Sequence, residues 1–370
     1  MAGQAAVITE GALEALRARI GVEVPRPQPY IEVATKDAIK HFADGIGDVN
    51  LLWRDEEYAR QTRYGTIVAP PCVLYSMDKI TSGMVGGLPG IHALFAGTTF
   101  EWFEPIMLND RVVGSSALKS IEEKKSQFAN RTVLQTYHTK FTNQDGCLVA
   151  TADSWCIRTE RDTGREKGKY QGIEPSHYTP EQIAQYESDI LAEEIRGANP
   201  RYWEDVNEGD SIGPVTKGPV TVTDFIAWLM GWGGLFVRAH RVAVEFRQRH
   251  PAAGIVNELG IPDGPERVHW DSPFAKRIGA PEAYDYGPQR VSWLGNLMTN
   301  WIGDEGFLRR LSAQVRRFNI VGDVSRCQGK VTRKYLDGDQ ALVDCDIWIE
   351  NQRGEITAQG TATARLPRRS

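Results

Sequence analysis

The chain repeats itself, and a repeat of this size leaves few folds open. Trp53-Arg54-Asp55-Glu56-Glu57-Tyr58-Ala59 lines up with His269-Trp270-Asp271-Ser272-Pro273-Phe274-Ala275 at an offset of 216 residues. The same offset sets Pro71 opposite Gly287, each opening a helical pattern. Further on, Asn143-Gln144 and Gly146 match Asn351-Gln352 and Gly354 at an offset of 208, a drift that loop-length differences produce. Upstream, Val33-Ala34-Thr35-Lys36-Asp37 pairs with Val220-Thr221-Val222-Thr223-Asp224 at an offset of 187. The second copy therefore carries about 29 extra residues, roughly 235–263. Two homologous halves account for this: 1–165 and 201–370, joined by a polar crossover over 166–200 with a charged helix near 181–195.

Each half reads the same way. A helix near Asp37 or Asp224, capped by the acid or the preceding Thr, leads into the repeated segment. A longer helix follows, containing Cys72-Val73-Leu74-Tyr75-Ser76-Met77 in the first half. In the second it carries Val291, Leu294, Met298 and Trp301 on one apolar stripe, so it packs lengthwise on something apolar. Then come alternating, β-branched strands, with turns at Asn143–Gly146 and Asp337-Gly338-Asp339 joining them as hairpins. A central helix followed by an antiparallel meander that wraps it is the hot-dog arrangement. The fold class expected is α+β, a double hot-dog of two tandem domains, each a long central helix wrapped by an antiparallel sheet.

Composition narrows the partners. The 370 residues are 41% hydrophobic and 25% charged, with a net charge of −5 and no block of like charges. That balance argues against nucleic acid. The N-terminal TEGALEALRARIG is a helical pattern with acids in it, not a signal peptide, and no apolar run approaches the roughly 20 residues that span a bilayer. Cys72, Cys147, Cys156, Cys327 and Cys345 are odd in number and lack CxxC spacing, so reduced thiols in a cytoplasmic protein, with no membrane partner, are expected.

The segment Gly47-Asp48-Val49-Asn50 and the phrase His269-Trp270-Asp271-Ser272-Pro273-Phe274-Ala275 resemble the MaoC-like dehydratases, the (R)-specific type 2 enoyl-CoA hydratases, in fused form. Helix openings at Ala69-Pro70-Pro71 and Tyr286-Gly287 and the strand phrase RRFNIVGDV extend the resemblance from about Val33 to Pro367. The family motif runs Gly-Asp-x-Asn-Pro-x-His. The resemblance implies that Asp and His activate a water, that Asn assists, and that backbone N–H groups at the start of the central helix hold the thioester oxygen. It also implies hydration of a trans-2-enoyl-CoA or the reverse dehydration, with acyl-CoA as substrate and no separate cofactor. An Asp–His pair can serve both proton transfers, and a helix N-terminus supplies N–H donors and a favourable dipole.

The departures from the motif sort the two halves. In the first, Asp48 and Asn50 match, but Leu51 replaces the proline and Trp53 the histidine, and Pro71 has no N–H to give. This half reads as a retired site that helps form the acyl cavity, with Trp53 in its wall. In the second, His269 matches and Gly287 supplies the N–H. The position five before His269 is Gly264, so the regular carboxylate is missing; Asp263, Glu258 or Asp285 are the acids open to it. Asp271, matched by Asp55, is read as structural. In the insertion, Arg238 and Arg241 are candidates for CoA phosphates, as are Arg316 and Arg317 on a strand. Asp285 and Tyr286, beside the helix start, join the substrate-binding candidates. Trp228, Trp232, Trp293 and Trp301 suit a roomy pocket for a ring-bearing acyl group. His and Cys spacing suggests no metal. Two rivals stay open: a hot-dog thioesterase using Asp285, and a non-catalytic acyl-CoA-binding subunit that works only with a hot-dog partner. A homodimer is equally open.

Overall fold

The computed structural model describes residues 7–24, 29–83, 86–88, 91–124, 131–160 and 173–369. Of the expected crossover, residues 166–172 lie outside the described residues; its helix runs Pro180–Leu191, opened by a reciprocal Thr179–Gln182 capping box. Alternating strands build one ten-stranded antiparallel sheet. In chain order the strands are β1 Glu23–Val24, β2 His92–Trp102, β3 Val113–Lys124, β4 Thr132–Thr142, β5 Leu148–Thr159, β6 Ser211–Lys217, β7 Ile255–Val256, β8 Pro262–Asp263, β9 Phe307–Val315, β10 Ser325–Asp337, β11 Gln340–Asn351 and β12 Ile356–Arg365. The order across the sheet is β1-β3-β4-β5-β2-β9-β12-β11-β10-β6, with β7 and β8 a separate hairpin in the insertion. This is a double hot-dog fold, joined into one sheet through β2 and β9.

The repeat becomes a pseudo-twofold at that seam. Thr99 pairs with Ser312 across it, and their hydroxyls meet at 2.7 Å. Each half carries a bulge at matching places. Phe95 pairs with Cys156 and Gly97 with Trp155, leaving Ala96 extra in β2. Leu308 pairs with Ala364 and Arg310 with Thr363, leaving Arg309 extra in β9.

The central helix of the second half, Gly287–Ile302, is buried along its length, with Val291, Leu294 and Met298 in the core. Its counterpart is far shorter than the sequence suggests: a 3₁₀ turn Pro71–Val73 and the helix Leu74–Met77. Asp78 ends it in extended backbone. Its carboxylate accepts the Thr81 N–H at 3.0 Å and the Ser116 hydroxyl at 3.3 Å, so a side chain competes with helix continuation. Among the described residues no helix is long and apolar enough to cross a membrane.

Two further helices, Lys36–Ile46 and Val222–Trp232, pack across each other. Thr35 and Thr221 cap their N-termini, and left-handed Gly47 and Gly233 end them. They cross on glycine: a Cβ at Gly45 would lie 2.9 Å from the Ala227 carbonyl oxygen, and one at Gly231 2.5 Å from that of His41. Backbone cannot retreat as a side chain can. Gly231→Val is therefore expected to destabilise by about 3 kcal/mol or more, read as a fall in the denaturant midpoint; an unchanged midpoint would show that the helices can slide apart.

Candidate active site

The last carbonyls of the Val222–Trp232 helix are capped from the other half. The Tyr30 hydroxyl donates to Met230 O at 3.1 Å and the Ser76 hydroxyl to Gly231 O at 3.0 Å. Lys79 Nζ donates to Trp232 O at 3.1 Å and Gly234 O at 2.6 Å. The chain then turns, and its next free N–H groups go to a buried acid. Glu266 accepts from Leu235 at 2.9 Å and from Phe236 at 2.6 Å. Lys79 and Glu266 thus hold one loop from opposite sides. Burial pushes the Lys79 ammonium down to about 8, with Glu266 opposing. Burial pushes Glu266 up, against the Phe236 and Leu235 N–H groups and Lys79.

Lys79 gives a pH signature. Unfolded, it keeps its proton to its ordinary value of 10.5; folded, it releases it near 8. Between those values the unfolded chain binds more protons, so stability rises with pH. The wild type is expected to gain stability relative to Lys79→Met from pH 8 to pH 10, measured by denaturant midpoints at each pH. Parallel curves for the two proteins would contradict this.

Three residues after Glu266 comes His269, at the end of the 3₁₀ turn Pro265–His269. Its Nδ1 lies 2.7 Å from the Tyr284 carbonyl oxygen. A carbonyl can only accept, so Nδ1 carries the hydrogen, and in the neutral ring Nε2 is the basic nitrogen. The imidazole stacks on Tyr286, centroids 3.7 Å apart and planes at 26°. Tyr286 in turn meets Trp232 edge-on at 5.0 Å, and Trp232 stacks on Trp228. The Tyr286 hydroxyl is pushed well above its ordinary value by burial and by the neighbouring Glu266. Directly after Tyr286 the Gly287–Ile302 helix begins, with no side-chain cap and with Pro288 in its first turn. Its first-turn N–H groups at Gly287 and Gln289 have no intrahelical acceptor. A basic nitrogen and an uncapped helix N-terminus therefore share one site, built from His269, Glu266, Tyr286, Gly287 and the first half's Lys79.

The pseudo-equivalent place in the first half is a cleft with about 50 Å³ of room for water-sized occupants, lined by Asn50, Trp53, Pro71, Leu308 and Asp304 among others. Asn50 Nδ2 donates to Asp304 Oδ1 at 3.3 Å, and the Tyr58 hydroxyl to Asp304 Oδ2 at 2.5 Å. The described lining residues include no histidine. Asp48 is not in the wall. It is buried, accepts the Asn50 N–H at 3.0 Å, and sits near Lys217, which donates to Gly47 O. Burial raises its carboxyl pKa, against the Asn50 N–H and the Lys217 charge.

The other candidates scatter. Asp285, read as substrate-binding, is spent on structure: it is buried, ion-paired to Arg290 at 2.9 Å and bonded to Asn319 at 2.9 Å. Burial pushes it up to about 7. Asp263 pairs with Arg267 at 3.8 Å and Glu258 with Arg277 at 3.1 Å. Arg238 donates to Leu235 O at 2.8 Å, and its charge reaches Lys79 and Glu266, so it stands near the site. Arg241 points outward, paired with Glu245. Arg316 and Arg317 are exposed, the latter paired with Glu355 at 3.0 Å. Among the described residues no group of three or more His, Cys, Asp or Glu could hold a metal.

Glu266, Lys79 and Asp304 escaped the sequence reading. Glu266 had a signal: at the offset of 216 it stands opposite Asn50. Lys79 and Asp304 had none, since each reaches its site from the opposite half.

Comparison with known proteins places the chain. The model of a family described as FAS1-like, dehydratase domain region, matches residues 18–152, the half whose motif lacks the histidine. A UPF0336 protein of Saccharopolyspora erythraea is 31% identical over 143 residues, 37% of this chain and 87% of the relative. A Thermomonospora curvata protein described as a probable enoyl-CoA hydratase alpha subunit is 26% identical over 154 residues, 37% of this chain and 48% of that protein. The solved structure of a MaoC-like dehydratase superposes with a TM-score of 0.67 at 17% identity, covering 95% of this chain and 100% of the other, a likeness of fold.

Proposed function

The chain belongs to the MaoC-like dehydratase family, and we propose on that premise that it adds water to a trans-2-enoyl-CoA, or removes it from the 3-hydroxyacyl-CoA, in its second half. One observation carries this: His269, its Nδ1 held at the Tyr284 carbonyl oxygen, stacks on Tyr286 immediately before the uncapped helix at Gly287.

In the hydration direction His269 Nε2 takes a proton from water as its oxygen bonds to C3 of the substrate. The electrons of the double bond move onto the thioester oxygen, which the Gly287 and Gln289 N–H groups receive. The imidazolium then returns the proton to C2, and the enolate collapses to the saturated thioester. General acid–base catalysis supplies about 10²–10⁴-fold, and each oxyanion donor about 2.7–4 kcal/mol, as in acyl transfer. Glu266 and Lys79 fix the loop and the Tyr286 ring on which His269 rests. Arg238 stands where it can meet a CoA phosphate. The chemistry asks for no group beyond the CoA of the substrate. The described cysteines are all free thiols, which fits a cytoplasmic setting.

A second reading has its own support. One relative is described as an alpha subunit, and in the second half no carboxylate stands at the motif's acidic position, which is Gly264. In that reading the chain binds the thioester and turns over only with a partner subunit. The test follows the enoyl-thioester absorbance with crotonyl-CoA and, in parallel, the release of free thiol. Loss of absorbance without thiol supports hydration; thiol release favours a thioesterase; binding with neither favours the partner-dependent reading.

A further inference from the structure

We propose that Phe95, from the first half, sets how large an acyl group the second-half site accepts; the proposal rests on the hydratase reading above. The bulge at Ala96 shifts the β2–β5 register directly beside Phe95, which pairs with Cys156, and a bulge re-aims the side chain beside it. Here the ring is aimed at the start of the central helix. A Cβ on Gly287 would lie 2.2 Å from Phe95 Cδ1 and 3.0 Å from Cε1, so the ring rests directly on that glycine. On its other edge a Cβ on Gly83 would lie 3.4 Å from Cδ2. Tyr75 meets the ring edge-on, with centroids 6.3 Å apart. Phe95 therefore fills the space between the helix start, Tyr75 and the turn at Gly83.

The pseudo-twofold supplies an internal control. Leu308 stands to the bulge at Arg309 as Phe95 stands to the bulge at Ala96. Pro71 is the counterpart of Gly287. Leu308 and Pro71 both line the cleft of the first half, which is open. At the same place in the two halves, the smaller side chain borders a cleft in the retired site and the larger one covers the helix start in the working site. A thioester whose oxygen meets the Gly287 N–H must send a long acyl chain past this ring, whereas a four-carbon chain ends before it. Phe95 is thus a specificity-determining residue that must swing aside for long chains.

The experiment compares kcat/KM for crotonyl-CoA and trans-2-dodecenoyl-CoA in wild type, Phe95→Leu and Phe95→Trp. Phe95→Leu is expected to raise the long-to-short ratio roughly tenfold, about the effect of burying two more methylenes, and Phe95→Trp to lower it. A ratio constant within about twofold in both Phe95 variants overturns the proposal. If the wild type hydrates neither substrate, the hydratase reading fails, and Phe95 is then judged by calorimetry with butyryl-CoA and dodecanoyl-CoA. Selective tightening of dodecanoyl-CoA by Phe95→Leu sustains its role in setting size; equal effects on both ligands overturn it.

Discussion

His269→Ala is expected to lower kcat/KM for crotonyl-CoA hydration by about 10²–10⁴-fold, the contribution of a positioned acid–base group. The fold should survive. His269 is half-buried and is held by the bond to Tyr284 O and by its stack on Tyr286. Losing that stack costs about 0.5–1.5 kcal/mol, small beside the stability of a chain with so large a core. His269→Gln should be nearly as inactive, because an amide can still donate to Tyr284 O but offers no base. Steady-state rates on the purified variants, with melting curves alongside, check this. Full activity in a folded His269→Ala protein would remove the second half from the mechanism.

Glu266→Ala should be the most destabilising single change near the site, by about 3–5 kcal/mol. Truncating one member of a buried charged pair leaves the other uncompensated. Here the change would also strip the Leu235 and Phe236 N–H groups of their acceptor. Replacing both charges at once, Lys79→Met with Glu266→Leu, should cost less than Glu266→Ala alone, because no lone charge is left buried. Denaturant midpoints for the three proteins decide it. If the double variant is the weaker, the two groups do not oppose each other across the loop.

Much of this fold could be read from the chain, because the repeat constrains it twice. The apolar stripe of Val291, Leu294 and Met298 gave the second central helix, and the Asn143–Gly146 and Asp337–Asp339 turns lie between paired strands. The first central helix could not be read so well. Whether it continues past Met77 is decided by Asp78 meeting Ser116, a partner some forty residues away in the chain. The site follows the same division. His269 and Gly287 are marked by local pattern, whereas their surroundings are assembled across the pseudo-twofold: Lys79 and Phe95 come from the other half. Asp285 looked available beside the helix start, but Arg290, one turn on, and Asn319 occupy it. Sequence proximity to a site did not make it a member.

The most direct measurement of the central claim is a crystal structure of the protein with butyryl-CoA, a saturated thioester that has no double bond to hydrate. The carbonyl oxygen of that ligand is expected within hydrogen-bond distance of the Gly287 or Gln289 N–H, with His269 Nε2 facing C3. A ligand seated instead in the cleft of Asn50, Trp53 and Asp304, with His269 untouched, would contradict it.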